Sequence, residues 1–127
     1  MNTIDIDQLA PAAATARPSI RQIAGNAVVS VEGDTETSVS LIAYHDKAAA
    51  AYRALLMRMT VRTDPATGLP SPVTSVGGTA APRVVLFSVP GEWSMERLEA
   101  LYAQAFEAVE ARMAGGDERV AALLAAA

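Results

Sequence analysis

Apolar and polar residues alternate along the first two-thirds of the chain and recur at spacings of three and four along the last third. Residues 2–8 (NTIDIDQ) place Ile4 and Ile6 on one side and Thr3, Asp5 and Asp7 on the other, which predicts a short half-exposed strand. Residues 9–19 hold two prolines and three consecutive alanines without an apolar period, which predicts a loop. Residues 20–32 (IRQIAGNAVVSVE) are rich in Ile and Val around Gly25-Asn26, which predicts two short strands or a hairpin, and Gly33-Asp34 punctuates their end.

Residues 37–45 put Val39, Leu41 and Ala43 on one face and Ser38, Ser40, Ile42 and Tyr44 on the other. Residues 46–51 (DKAAAA) fit a helical turn or a loop. In residues 52–62 (YRALLMRMTVR), Leu55, Met57, Met59 and Val61 form a core-facing stripe, backed by Arg58, Thr60 and Arg62. A helix over 48–59 competes with this strand, and the β-branched Thr60 and Val61 decide for the strand. Residues 63–82 contain four prolines and three glycines, a composition that predicts a long connection. Residues 83–89 (RVVLFSV) read as a strand stopped by Pro90-Gly91.

From Ser94 the period changes. Met95, Leu98, Leu101, Tyr102, Ala105, Phe106, Val109 and Met113 define one apolar helical face, with Ser94 as N-cap, Glu96 in the first turn and Gly115-Gly116 as the stop. Asp117 caps a shorter helix carrying Val120, Leu123 and Leu124. The predicted fold class is α+β: an antiparallel β-meander of about six strands over residues 1–91, then two C-terminal helices over 92–127, in one domain.

Length and composition agree with a single modest core, since 127 residues include 27 alanines that bury little area each. The absence of cysteine excludes disulfides, thiolate metal sites and cysteine nucleophiles. No apolar run approaches the length that spans a bilayer, and the acidic N-terminus is unlike a secretory signal, so no membrane partner is expected. The formal charge of −4 argues against nucleic acid until it is divided along the chain. Residues 1–46 carry six acids and two bases, 47–91 carry five bases and one acid, and 92–127 carry seven acids and three bases. A fold can turn such blocks into faces of opposite sign.

Catalytic groups are scarce. The sole histidine, His45, stands next to Asp46, and neighbours on a strand point to opposite faces, so a structural or solvent-exposed role is expected. The serines lack a nucleophile-elbow context, and VGGT at 76–79 lacks the lysine of a phosphate loop. Carboxylates at helical spacing, Glu96 with Glu99 and Glu107 with Glu110, read as a solvated face. No catalytic residue, metal site or cofactor is expected. The remaining candidate is the cationic stripe, with Arg58 and Arg62 about 13 Å apart along the strand and Tyr44 or Tyr52 available to stack a base.

The order of a β-meander, a strand with a basic stripe (YRALLMRMTVR), a Pro/Gly-rich connection containing SVGG, a strand ending in Val-Pro (RVVLFSVP) and two C-terminal helices resembles the coat proteins of single-stranded RNA bacteriophages of the levivirus type. The likeness covers essentially the whole chain, most clearly residues 37–113. It implies an intertwined homodimer whose two sheets join, with helices of each subunit packed across the partner, and an icosahedral shell assembled from such dimers. The uncovered sheet face would look inward and bind viral RNA.

Carried onto this sequence, the resemblance places Ser38, Ser40, Tyr44, Arg58, Thr60, Arg62 and Ser88 on the RNA side, which also carries Ile42, Leu56, Val84 and Leu86. Leu55, Met57, Met59, Val61, Val85, Phe87 and Val89 would meet the helices. Leu98, Leu101, Tyr102, Phe106 and Val109 would form the dimer and core face of the long helix. Pro65, Gly68, Pro70, Gly77 and Gly78 would belong to a loop between dimers. The expected function is that of a capsid subunit located in the virion and assembled in the cytoplasm of a bacterial host. The alternatives are a soluble dimeric α+β module for a small molecule or peptide, and an enzyme built on the helix carboxylates.

Overall fold

In the computed structural model, which describes residues 3–10, 15–72 and 82–125, six antiparallel strands form one sheet and two helices follow. The strands are β1 (Thr15–Arg17), β2 (Gln22–Glu32), β3 (Thr35–Asp46), β4 (Ala51–Thr63), β5 (Pro70–Pro72) and β6 (Arg83–Pro90). The helices are α1 (Met95–Ala114) and α2 (Glu118–Leu124). Strands β1 to β5 pair in sequence order, and β6 returns to pair with β4 beside the first half of that strand.

Strands β2, β3 and β4 are the sheet's long members, at 11, 12 and 13 residues. Hairpin turns join them at Gly33-Asp34 and at Lys47–Ala50, and Gly33 takes the positive φ (62°) that glycine adopts without strain. In the second turn the Ala49 amide donates to the Asp46 carboxylate at 3.2 Å. Within residues 46–51, Lys47–Ala50 form the turn and Asp46 and Ala51 are the strand ends, so no helix forms there, and the strand reading of 52–62 holds while the helical one does not.

The core lies between one sheet face and the helices. Val39, Leu41, Ala54, Leu56 and Tyr52 from the sheet meet Leu98, Tyr102, Ala105 and Val109 from α1 and Val120 and Leu124 from α2, all buried. Helix α1 begins as its sequence dictates, with Ser94 accepting from the Arg97 amide at 3.3 Å, and α2 begins with Asp117 accepting from the amides of Arg119 and Val120. The anticipated helix face is buried at Leu98, Leu101, Tyr102 and Val109 and half-buried at Phe106.

Four local expectations change. Of the strand expected over 2–8, the described residues 3–8 form none: Thr3 makes a single bridge with Ala125, the Ile4 amide donates to the Leu124 carbonyl at 2.9 Å, and Ile6–Leu9 is a 3-10 turn that inserts Leu9 into the core. The loop at 9–19 contains strand β1, followed by a second 3-10 turn at Pro18–Ile20. Residues 22–32 run as one strand through Gly25-Asn26 with no turn there. Gly25 is needed for close approach: a Cβ at this position would lie 2.2 Å from the Tyr102 hydroxyl and 3.0 Å from the Leu9 carbonyl oxygen. The connection at 63–82 opens as a hairpin in which Pro70–Pro72 returns as β5 against Val61–Thr63.

The largest correction concerns which face of β4 is inward. His45 pairs with Tyr52, Ala43 with Ala54, Leu41 with Leu56 and Val39 with Arg58. Paired residues share a face, so Tyr52, Ala54, Leu56 and Arg58 point to the helices, and Arg53, Leu55, Met57, Met59 and Val61 line the open face. The assignment of Leu55, Met57, Met59 and Val61 to the core is therefore inverted. Both stripes of this strand are largely apolar, so the turn before it decides the parity, and a slip of one residue reverses every side chain.

In β6 an extra residue lies opposite the Ala54/Leu55 step, so Ala54 pairs with Phe87 but Leu55 pairs with Val85. This bulge lets Val84, Leu86, Phe87 and Val89 all contribute to the core, while Val85 is left 57% exposed on the open face. Val85 was expected against the helices, and Leu56, Val84 and Leu86 on the open side; all four are reversed, whereas Phe87 and Val89 sit as expected. Arg112 of α1 donates to the carbonyl of Leu86 at 3.3 Å, supplying a partner at the irregularity.

Candidate nucleic-acid interface

The face of the sheet turned away from the helices is built from cross-strand rows fixed by the register. One row reads Gln22, Tyr44, Arg53 and Ser88; the next reads Ala24, Ile42, Leu55 and Val85; the third reads Asn26, Ser40, Met57 and Arg83. Val28, Ser38 and Met59 follow in a fourth. Arg17 of β1 pairs with Gln22 and extends the first row. A band of apolar side chains thus lies between two rows that carry arginine, hydroxyl, amide and phenol groups.

Arg53 is the best-positioned cation of this face. It forms an ion pair and a short hydrogen bond with Asp46, and it stands directly opposite Tyr44. The Tyr44 hydroxyl first, and then the Asp46 carboxylate, raise the guanidinium above its ordinary pKa. Asp46 is held below the ordinary carboxylate value by the Ala49 amide and then by Arg53. Across the face, Ser40 donates a short hydrogen bond to the side-chain oxygen of Asn26. Arginines and hydroxyls can contact phosphates, the Tyr44 ring can stack an unpaired base, and the aliphatic band beside it offers a surface against which bases can pack.

Of the seven residues expected on the RNA side, the fold brings Ser38, Ser40, Tyr44 and Ser88 together and removes the other three. Arg58 points to the helices, where its Nη1 donates to the carbonyls of Ala125 at 2.7 Å and Leu123 at 3.1 Å. Thr60 hydrogen-bonds the Thr37 hydroxyl at 3.0 Å on the same side as Arg58. Arg62 is exposed opposite Thr35, again on that side of the sheet. The cationic stripe read from the sequence is thus real as a stripe but belongs to the face that the helices share.

Sequence reasoning missed Arg53, Arg83, Asn26 and Arg17. The available signal was the clean alternation of residues 37–45: once Tyr44 faces outward, a four-residue turn pairs it with Arg53. Of the expected loop residues, Pro65 and Gly68 lie in the turn between β4 and β5, Gly68 at φ 71°, and Pro70 opens β5. Gly77 and Gly78 lie outside the described residues.

His45 sits on the opposite side from Asp46, at the margin of the core. Arginine only donates and a carbonyl only accepts, so the contacts fix the tautomer: Nε2 donates to Gly91 O at 3.0 Å and Nδ1 accepts from Arg21 at 3.3 Å. Arg21 in turn stacks over Trp93 at 5.1 Å. Both ring nitrogens are committed to structure.

On the helix side, Glu96, Glu99, Glu107, Glu110 and Glu118 are exposed. Among the described residues no three His, Asp or Glu side chains gather as a metal site, and no helix is long and apolar enough to cross a membrane. No protein-family model, curated protein or solved structure matches the chain.

Proposed function

We propose that this chain is a structural coat subunit of the single-stranded RNA phage type, which pairs with a second copy and lays the open sheet face against RNA inside a shell. The observation that carries the reading is the two-sidedness of the sheet. One face is sealed by helices whose outer surface is acidic, and the other is left open with Arg17, Arg53, Arg83, Tyr44, Asn26, Ser38, Ser40 and Ser88. An open sheet with arginines and hydroxyls suits a polyanion, and acids on the far side keep that polyanion to one surface.

A second support is the edge of β6. Among the described residues it pairs only with β4, so its outer backbone groups are available to a strand of another subunit. Pairing two copies there would extend the sheet and its open face across a two-fold axis. The site in the virion and assembly in the bacterial cytoplasm follow from this reading.

The apolar row of half-buried Ile42 and Leu55 beside the exposed Val85 favours the second reading, a dimeric module that holds a small apolar molecule or peptide. Particle size separates the two. Light scattering and negative-stain images of the expressed protein should show closed shells containing RNA. A species that stays at about 26 kDa, twice the 13.2 kDa chain, with and without added RNA across salt concentrations overturns the coat reading.

A further inference from the structure

The strongest polar contact on the open face joins its best-placed cation to an acid of the same face. Asp46 closes β3 and Arg53 lies near the start of β4, so the hairpin itself brings the two side chains together. The pair is neither buried nor remote from solvent: 36% of the Arg53 side chain and 30% of the Asp46 side chain are exposed. Ion pairs in such settings add little to stability, because water solvates the separated ions nearly as well. The pair does change what the face offers to a polyanion. A carboxylate oxygen on a guanidinium nitrogen has the charge and hydrogen-bonding pattern of a phosphate oxygen.

We propose that the Asp46 carboxylate occupies on Arg53 the place of an RNA phosphate, so that RNA engages this arginine only by displacing an internal competitor. The inference rests on the coat reading above and adds a regulation of its RNA face. Tyr44, directly opposite Arg53, holds the guanidinium in place while the carboxylate is exchanged for phosphate. The Ala49 amide, which donates to the other Asp46 oxygen, holds the released carboxylate at the turn. The internal acid lowers attraction for any RNA by the same amount. Only RNA that gains further contacts on the apolar and amide rows, through unpaired bases, recovers the loss. Discrimination then arises from a uniform penalty and a selective gain.

The test uses the full chain and a fluorescently labelled ten-nucleotide oligouridine, with binding followed by anisotropy from 0.05 to 0.5 M salt. Asp46→Asn retains an acceptor for the Ala49 amide and removes the charge. This variant should bind about fivefold more tightly near 0.1 M salt, with the log–log salt slope steeper by up to about 0.7, because no carboxylate is freed to take up a cation when phosphate binds Arg53. Arg53→Met should bind more weakly than wild type, and Asp46→Asn in the Arg53→Met background should bring no gain. Thermal melts by circular dichroism verify that each variant is folded.

Wild-type RNA binding with an unchanged affinity and slope in Asp46→Asn overturns the proposal and leaves the coat reading standing. An equal gain in the Arg53→Met background also overturns it, because the carboxylate would then act through the general field and not through Arg53. Failure of every variant to bind RNA, together with the absence of shells, overturns both.

Discussion

Arg58 reaches from the middle of β4 to the carbonyl oxygen of Ala125, 2.7 Å away, and so ties the longest strand of the sheet to the end of the last helix. The same Nη1 serves Leu123 at 3.1 Å. The last carbonyls of a helix have no partners within it and carry the negative end of its dipole, so a guanidinium there satisfies both needs. Arg58→Met should lower unfolding free energy by about 2 kcal/mol, the scale of hydrogen bonds to a charged group. Hydrogen exchange should localise the loss to α2 and the bridge between Thr3 and Ala125, with RNA binding per folded molecule unchanged. A loss of RNA binding at unaltered stability would return Arg58 to the RNA face.

Gly25 and Tyr102 form a second coupled pair. The Tyr102 hydroxyl donates to the Leu9 carbonyl at 2.8 Å through the space that a side chain at position 25 would fill. Gly25→Ala should cost about 2 to 3 kcal/mol, as overpacking of a filled core does. Tyr102→Phe alone loses the hydrogen bond, but combined with Gly25→Ala it removes the clash. Urea unfolding of the four proteins should therefore give a double-mutant sum well above the cost of the double variant.

Burial raises the Tyr102 phenol from 10.0 to about 12. The neutral phenol is the form that the fold favours, so its contribution is complete below pH 10. The contribution declines as pH rises toward about 12, because the unfolded chain ionises first. Two pKa units correspond to about 3 kcal/mol. The difference in unfolding free energy between wild type and Tyr102→Phe, followed from pH 8 to pH 12, should fall across this window. A constant difference would mean that the phenol is not confined as described.

Ala50 closes the β3–β4 turn at φ 48°, where a Cβ is strained. Ala50→Gly should raise stability by about 0.5 to 1 kcal/mol despite the greater freedom glycine gives the unfolded chain. Thermal denaturation reads the gain, and a loss would place the residue outside the left-handed region.

How much of this was legible depends on whether one strand or two had to be read. Strand β3 alternates cleanly, so the outward placement of Ser38, Ser40 and Tyr44 followed from residues 37–45 alone. The caps at Ser94 and Asp117 and the stripe from Leu98 to Val109 likewise follow from local spacing. Strand β4 has apolar residues on both faces, and nothing within it says which faces the helices. The answer lies in the four residues of the turn, which pair Tyr44 with Arg53 and carry Arg58 to the helix side. In β6 one inserted residue lets Leu86 and Phe87 both serve the core, which no strict alternation anticipates. Gly25-Asn26 looked like a turn because glycine is common there, whereas here its missing side chain makes room for Tyr102. The strand and helix order was thus written locally, and the membership of the open face was written in pairings between strands.

The bridge between Thr3 and Ala125 has a practical consequence for building on this fold. Thr3 and Ala125 lie side by side next to α2, although 121 residues of chain separate them. A covalent cross-link between positions 3 and 125 would close the intervening chain into a loop, and a cut at the Pro65–Gly68 turn would then leave two new ends at the far tip of β4 without breaking a long strand.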